Sequence, residues 1–256
     1  MKDPRLLAEV AEHPHALLFA TVSGAHLYGF PSADSDFDLR GAHIAPVALL
    51  TGLERVTETI KSSHVRDGAD VDLVTHEVRK FFSLLLRNNG YVLEQLYSPL
   101  VVHTTPEHEE LQHIARGCIT SACVRHYLGF AVNQWQLFEK ESPRRLKPLL
   151  YVFRVLLSGI HMMRTGEVNA NLLECNAALG TVRLTWIDHL VAQKVGGGEQ
   201  KTLSDGDIAF YHREYVRLRE WLTDEAERSA LPPAPTAKTA MADLLHRIRL
   251  QPWGRD

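Results

Sequence analysis

Cysteine is scarce. Three residues, Cys118, Cys123 and Cys175, form an odd set in 256 with no metal-ligand spacing. They support neither a disulfide framework nor a zinc centre, and the expectation is a reduced, cytoplasmic compartment. The 14 histidines contain no HxxxH pair and no Cys/His cluster, which argues against a histidine-built metal site. No apolar run approaches the roughly 20 residues of a bilayer span. The N-terminal MKDPRLLAEVAEH carries acids and no apolar h-region, so neither a membrane anchor nor a secretion signal is expected. Excess positive charge is also missing. Lys and Arg number 28 against 31 Asp and Glu, a net charge of -3. That excludes a uniformly basic nucleic-acid wrapper and leaves a local basic patch open. Internal repeats are absent.

What is present divides unevenly along the chain. ALLFATVS (16–23) is an apolar run of β-favouring residues ending at Gly24 and reads as a buried strand. DFDLRGAHI (36–44) alternates polar and apolar residues, as a half-buried strand does. ERVTETIKSSH and ADVDLVTHEV flank a turn near Asp67-Gly68 and give two more strands. EVRKFFSLLLRNN places Val78, Phe81, Phe82, Leu85 and Leu86 at helical spacing. Beyond about residue 105 long helical periodicities take over: PEHEELQHIARG, ITSACVRHYLGFAVNQWQLFEKE, RRLKPLLYVFRVLLSGIHMMRTGE, NANLLECNAALG, TVRLTWIDHLVAQKV and DIAFYHREYVRLREWLTDEAERSA. Gly166 is placed as a helix stop. VGGGEQ reads as a loop, and LPPAPTAK as a Pro-rich linker before a last helix, MADLLHRIRL. The expected architecture is α+β: a mixed-sheet unit over 1–105 and an all-helical unit over 106–256, closely packed.

The chemistry concentrates in VSGAHLYGFPSADSDFDLRG (22–41). On a strand, residues two apart share a face, so Asp36 and Asp38 project together while Phe37 points into the opposite, apolar layer. Two adjacent carboxylates repel and commonly share a proton or a cation. A hard divalent cation with oxygen ligands fits them. Asp72 supplies a third carboxylate if ADVDLVTH lies beside this strand. Asp70 has the same parity, so periodicity does not separate the two. Upstream, Ser23-Gly24 ends the apolar strand, and glycine there lets backbone N–H groups approach an anion. His26 lies in the same turn and is a candidate phosphate contact. Arg40 is read either as a phosphate contact or as the partner of a neighbouring acid. Lys147 and Arg154, seven apart, share a helix face and are candidates for contacts near a triphosphate.

These segments resemble the DNA-polymerase-β-type nucleotidyltransferases, and more closely a family of such proteins associated with RNA repair pathways. The resemblance is carried by Ser23-Gly24 to Tyr28-Gly29, Ser35 to Gly41, Asp72 to Phe81, Asn88 to Leu96, and KPLLYVFRVLLSGIHMMRTGEV, within about 16–175. It implies a polymerase-β-type nucleotidyltransferase core and transfer of a nucleoside monophosphate from an NTP to a hydroxyl, with pyrophosphate released. It further implies two Mg²⁺ (or Mn²⁺) ions on Asp36, Asp38 and Asp72, and an RNA acceptor, such as a tRNA end. Ser23, Gly24, Ala25, His26, Tyr28, Arg40, Lys147 and Arg154 form the implied nucleotide-binding set. Two departures stand out: Ala25 where the superfamily has Ser or Gly, and Asn89 where Pro is frequent. Ala25 removes a hydroxyl contact to a charged phosphate, a loss of about 1.5–3 kcal/mol. The alternatives are nucleotidylation of a protein or small molecule, which an acidic chain also suits, and a non-catalytic nucleotide-binding regulatory module.

Overall fold

A computed structural model describes residues 3–53, 55–197, 200–203 and 205–253. Twelve helices and five strands are assigned among these residues: α1 (Pro4–Glu12), β1 (Ala16–Ser23), α2 (Gly24–Tyr28), β2 (Phe37–Ile44), α3 (Val47–Leu50), β3 (Thr59–Arg66), β4 (Ala69–Glu77), α4 (Val78–Leu85), α5 (Gly90–Leu96), β5 (Val101–His103), α6 (Pro106–Ala115), α7 (Val124–Lys140), α8 (Leu146–Thr165), α9 (Leu172–Ala177), α10 (Thr185–Gly197), α11 (Ile208–Arg228) and α12 (Lys238–Leu250).

The strands form one mixed sheet in the order β3-β4-β2-β1-β5. β1 runs antiparallel to β2 and β5, β4 antiparallel to β3, and β2 parallel to β4. β1 is buried from Leu17 onward because apolar side chains leave both its faces, as the unbroken run ALLFATV dictates. β3 and β4 join through Asp67 (φ 47) and Gly68 (φ 76), the two left-handed positions that a tight hairpin turn requires. One sheet face packs Leu17, Ala20, Val22, Leu39, Val71 and Leu73 against Leu6, with Val10 and Phe37 at the margin. Phe37 thus faces away from its acidic neighbours, as its parity requires.

The chain divides into two compact units, one of Met1–Gly24, Asp36–Cys118 and Pro235–Asp256, the other of Ala25–Ser35 and Ile119–Ala234. They are not the sequential halves 1–105 and 106–256. α6 stays with the sheet: Tyr97 Oη donates to Gln112 O (2.6 Å) and His108 stacks on Phe19. α12 joins it through the Arg247–Glu110 ion pair. Residues 25–35 belong to the helical unit, where Tyr28 and Phe30 meet Tyr151 edge-on.

Other readings shift as well. α10 continues through Gly197, so Val195–Gly197 of the expected VGGGEQ loop is helical; Gly198 and Glu199 lie outside the described residues. α8 has the length and apolar composition of a membrane-crossing helix, against the expectation that no run comes close, but 78% of the qualifying window is buried in the structure. It is the core helix of the helical unit. α5 and β5 leave no signal in the sequence because α5 has only seven residues and β5 three, too few to carry a periodicity.

Candidate active site

Asp36 immediately precedes β2, Asp38 is its second residue, and Asp72 lies on β4. The parallel pairing sets Asp38 directly beside Asp72 and Phe37 beside Val71. One carboxylate oxygen from each of Asp36, Asp38 and Asp72 lies within 4.8 Å of the others, and all three residues are half-buried. Asp70 is exposed and lies before Val71, the first residue of β4 that pairs with β2. Register therefore resolves what parity left open: Asp72 joins the cluster.

Gly24 is forced by its surroundings. Its φ is +62, and a Cβ there would lie 1.9 Å from Asp38 Oδ2. The end of β1 thus runs directly against the carboxylate, with Ser23 paired to Asp38 and itself buried. The other Asp38 oxygen, Oδ1, is held by Arg40 Nη2. Arg40 also donates to Asp72 O (2.6 Å), Leu39 O (3.0 Å) and Tyr91 Oη (3.1 Å). Its guanidinium thus ties β2 to β4 at the height of the acids. The acid pairing, one of its two readings, is present in the structure. When ionised, the three clustered carboxylates outnumber the one guanidinium paired with Asp38, and the excess of negative charge favours a divalent cation.

Tyr91 is a participant that sequence reasoning did not single out, although it lies inside the Asn88–Leu96 segment. Its position follows from local chemistry. Asn88 adopts φ 59, tolerated by asparagine. Asn89 then caps α5, its Oδ1 accepting from Tyr91 N (3.0 Å) and Val92 N (3.3 Å). The Asn at the expected Pro position thus has a positive role.

The remaining candidates belong to the helical unit. Ala25 and Tyr28 are buried and His26 is half-buried. Arg154 is 1% exposed, its guanidinium 4.1 Å from the centre of the Tyr28 ring. Lys147 is half-buried in the first turn of α8. Lys194 was missed. It is fully buried and donates to Ser32 Oγ (2.8 Å) and Ser35 Oγ (3.0 Å). It lies some 160 positions downstream, in a segment whose only legible signal was helical periodicity.

A mixed sheet carrying a carboxylate trio on adjoining strands, with a glycine at the end of the neighbouring strand, defines a polymerase-β-like nucleotidyltransferase fold. The chain belongs to the RNA repair pathway DNA polymerase beta family, whose model matches residues 3–247. It is 34% identical over 156 residues to an uncharacterised protein of Methanocaldococcus jannaschii, covering 60% of this chain and 63% of that protein. It is 26% identical over 156 residues to an uncharacterised protein of Bacillus subtilis, covering 59% of this chain and 58% of that one. The matched part is thus about three fifths of the length of these curated relatives. A nucleotidyltransferase-like protein from Exiguobacterium sibiricum aligns in structure over 97% of this chain and 79% of its own, at 11% identity and a TM-score of 0.33.

Proposed function

We propose that the protein transfers a nucleoside monophosphate from an NTP to an acceptor hydroxyl, with RNA as the acceptor and pyrophosphate as the leaving product. The observation that carries this reading is the convergence of Asp36, Asp38 and Asp72 within 4.8 Å. Their donor chemistry fits Mg²⁺ or Mn²⁺. Asp36 and Asp38 would hold two ions, and Asp72 the ion on the acceptor side. When bound, such ions neutralise charge on the departing pyrophosphate and lower the pKa of the attacking hydroxyl.

The chain's own groups do the rest. Asp72 takes up the hydroxyl proton. Backbone N–H groups of the Ser23-Gly24-Ala25 turn hold phosphate oxygens, an approach open because Gly24 has no side chain. Arg40 fixes the Asp38 carboxylate and carries no part of the bond exchange. The family's description supports an RNA acceptor.

The test is incubation with α-³²P-labelled NTPs, Mg²⁺ or Mn²⁺, and a tRNA pool. Label on RNA is the expected result, falling to background in an Asp36→Ala/Asp38→Ala double variant. Label on protein alone would select nucleotidylation of a protein. Absence of label, with nucleotide still bound, would select a regulatory module.

A further inference from the structure

The sheet face that carries the acids continues past them. Asp72, Val74 and His76 share that face of β4, and the register sets Ser63, Lys61 and Thr59 of β3 beside them in turn. β3 is an edge strand, and Lys61 and Ser63 on this face are exposed. At the far end Thr59 Oγ1 bonds His76 Nδ1 (3.0 Å) and accepts from Lys80 Nζ (2.6 Å). Arg79, exposed in the first turn of α4, lies next to Lys80. A groove of about 750 Å³ opens there, lined by Arg55, Thr57, Thr59, Arg79 and Lys80 among others.

Beyond the acid cluster, Lys61, Lys80, Arg79 and Arg55 give this line more cations than acids. His76 is held below its ordinary pKa, first by burial and then by the charges of Lys80, Lys61 and Arg40. Two acids line the groove. Glu58 is exposed. Glu77 is committed to Arg249 and to the backbone N–H of Arg79. Four residues of extended strand separate Asp72 from His76, about 13 Å. The cations are therefore strung out from the acid cluster in one direction. A compact phosphorylated metabolite would need them gathered in one place. Lysines and arginines in a row, interleaved with the hydroxyls of Ser63, Thr59 and Thr57, suit a backbone that repeats a phosphate at each step.

We propose that the open face of β3 and the first turn of α4 form a track for a single-stranded polynucleotide acceptor, its terminal hydroxyl at Asp72 and its phosphates along Lys61, Lys80, Arg79 and Arg55. The position of the reacting end rests on the nucleotidyltransferase reading; the binding does not. A net charge of -3 does not reveal such a track, because a mean charge carries no information on its distribution.

Lys61 and Arg79 are exposed, so replacing both leaves the fold intact, which a thermal melt checks. Binding of a short fluorescein-labelled single-stranded RNA is read by anisotropy across a salt series. The wild-type affinity should fall steeply with salt. In Lys61→Ala/Arg79→Ala the low-salt affinity should drop about tenfold or more, and the log–log salt slope should shrink by about 1.4, near 0.7 for each lost phosphate contact. Mn²⁺ binding, followed by electron paramagnetic resonance, should be unchanged. Equal affinity and slope in variant and wild type would overturn the track, as would RNA binding insensitive to salt. If the variant loses RNA binding while the wild type transfers no label, the track stands and the chemistry proposed above falls. If the wild type labels RNA and the variant does so with an unchanged KM for RNA, the chemistry stands and the track falls.

Discussion

At the scale of single residues, the site depends on side chains that are small or immobilised. Gly24 leaves room for the Asp38 carboxylate, and its positive φ disfavours most residues that carry a Cβ. Gly24→Ala should cost about 1–2 kcal/mol in backbone strain alone. It should also turn Asp38 away and weaken Mn²⁺ binding, read by electron paramagnetic resonance titration against an unchanged circular dichroism spectrum. Wild-type Mn²⁺ affinity in this variant would separate Gly24 from the metal site. Tyr91→Phe removes the Oη that receives Arg40 Nε. The expected loss is about 0.5–1.5 kcal/mol of stability, measured by urea unfolding. The acid pair and the glycine were legible because their spacing itself encodes a shared face and a tight approach. Tyr91 and Lys194 were not, since each acts through partners far away in sequence, Arg40 at 51 positions and Ser32 at 162.

At the scale of elements, pattern and structure agree where runs are long. β1 spans the expected 16–23, and α8 ends at Gly166 in the left-handed conformation. α8 is buried along most of its length because neighbouring helices enclose it, and a small residue marks one close approach. A Cβ on Gly159 would meet Leu222 side-chain atoms at 3.0 Å and Tyr127 Cβ at 3.1 Å. Gly159→Val should therefore destabilise by about 1–3 kcal/mol through overpacking, seen as a lower urea midpoint with an unchanged m-value. Agreement fails at short elements and at glycine. α5 depends on two asparagines rather than on a periodic face. The end of α10 stays helical despite Gly196 and Gly197, each a cost of about 1 kcal/mol relative to alanine, because tertiary packing of the preceding turns outweighs local preference.

At the scale of the whole molecule, buried histidines make stability depend on pH. Burial, with smaller contributions from His13, His15 and His76, lowers His43 from 6.5 to about 3. Burial likewise lowers His108 and His126 to about 4 each. The folded chain holds these rings neutral, whereas the unfolded chain protonates them near 6.5. Their contribution is thus complete above that value and is lost as the pH falls toward 4. Each should remove about 1.4 kcal/mol per pH unit within that window. Urea unfolding at about pH 7 and about pH 5 checks the sign, and His108→Gln should flatten the dependence.

The sequence by itself determined the types of the longer strands and helices, the paired acids with their glycine turn, and the family. All of these are legible within single continuous segments of the chain. Only the tertiary structure decided that Asp72 rather than Asp70 completes the cluster, that Arg40 binds an acid, and that α6 and α12 belong with the sheet. Those outcomes depend on which strand lies beside which and in what register. Strand register is a property of pairing between distant segments, and no single segment carries it.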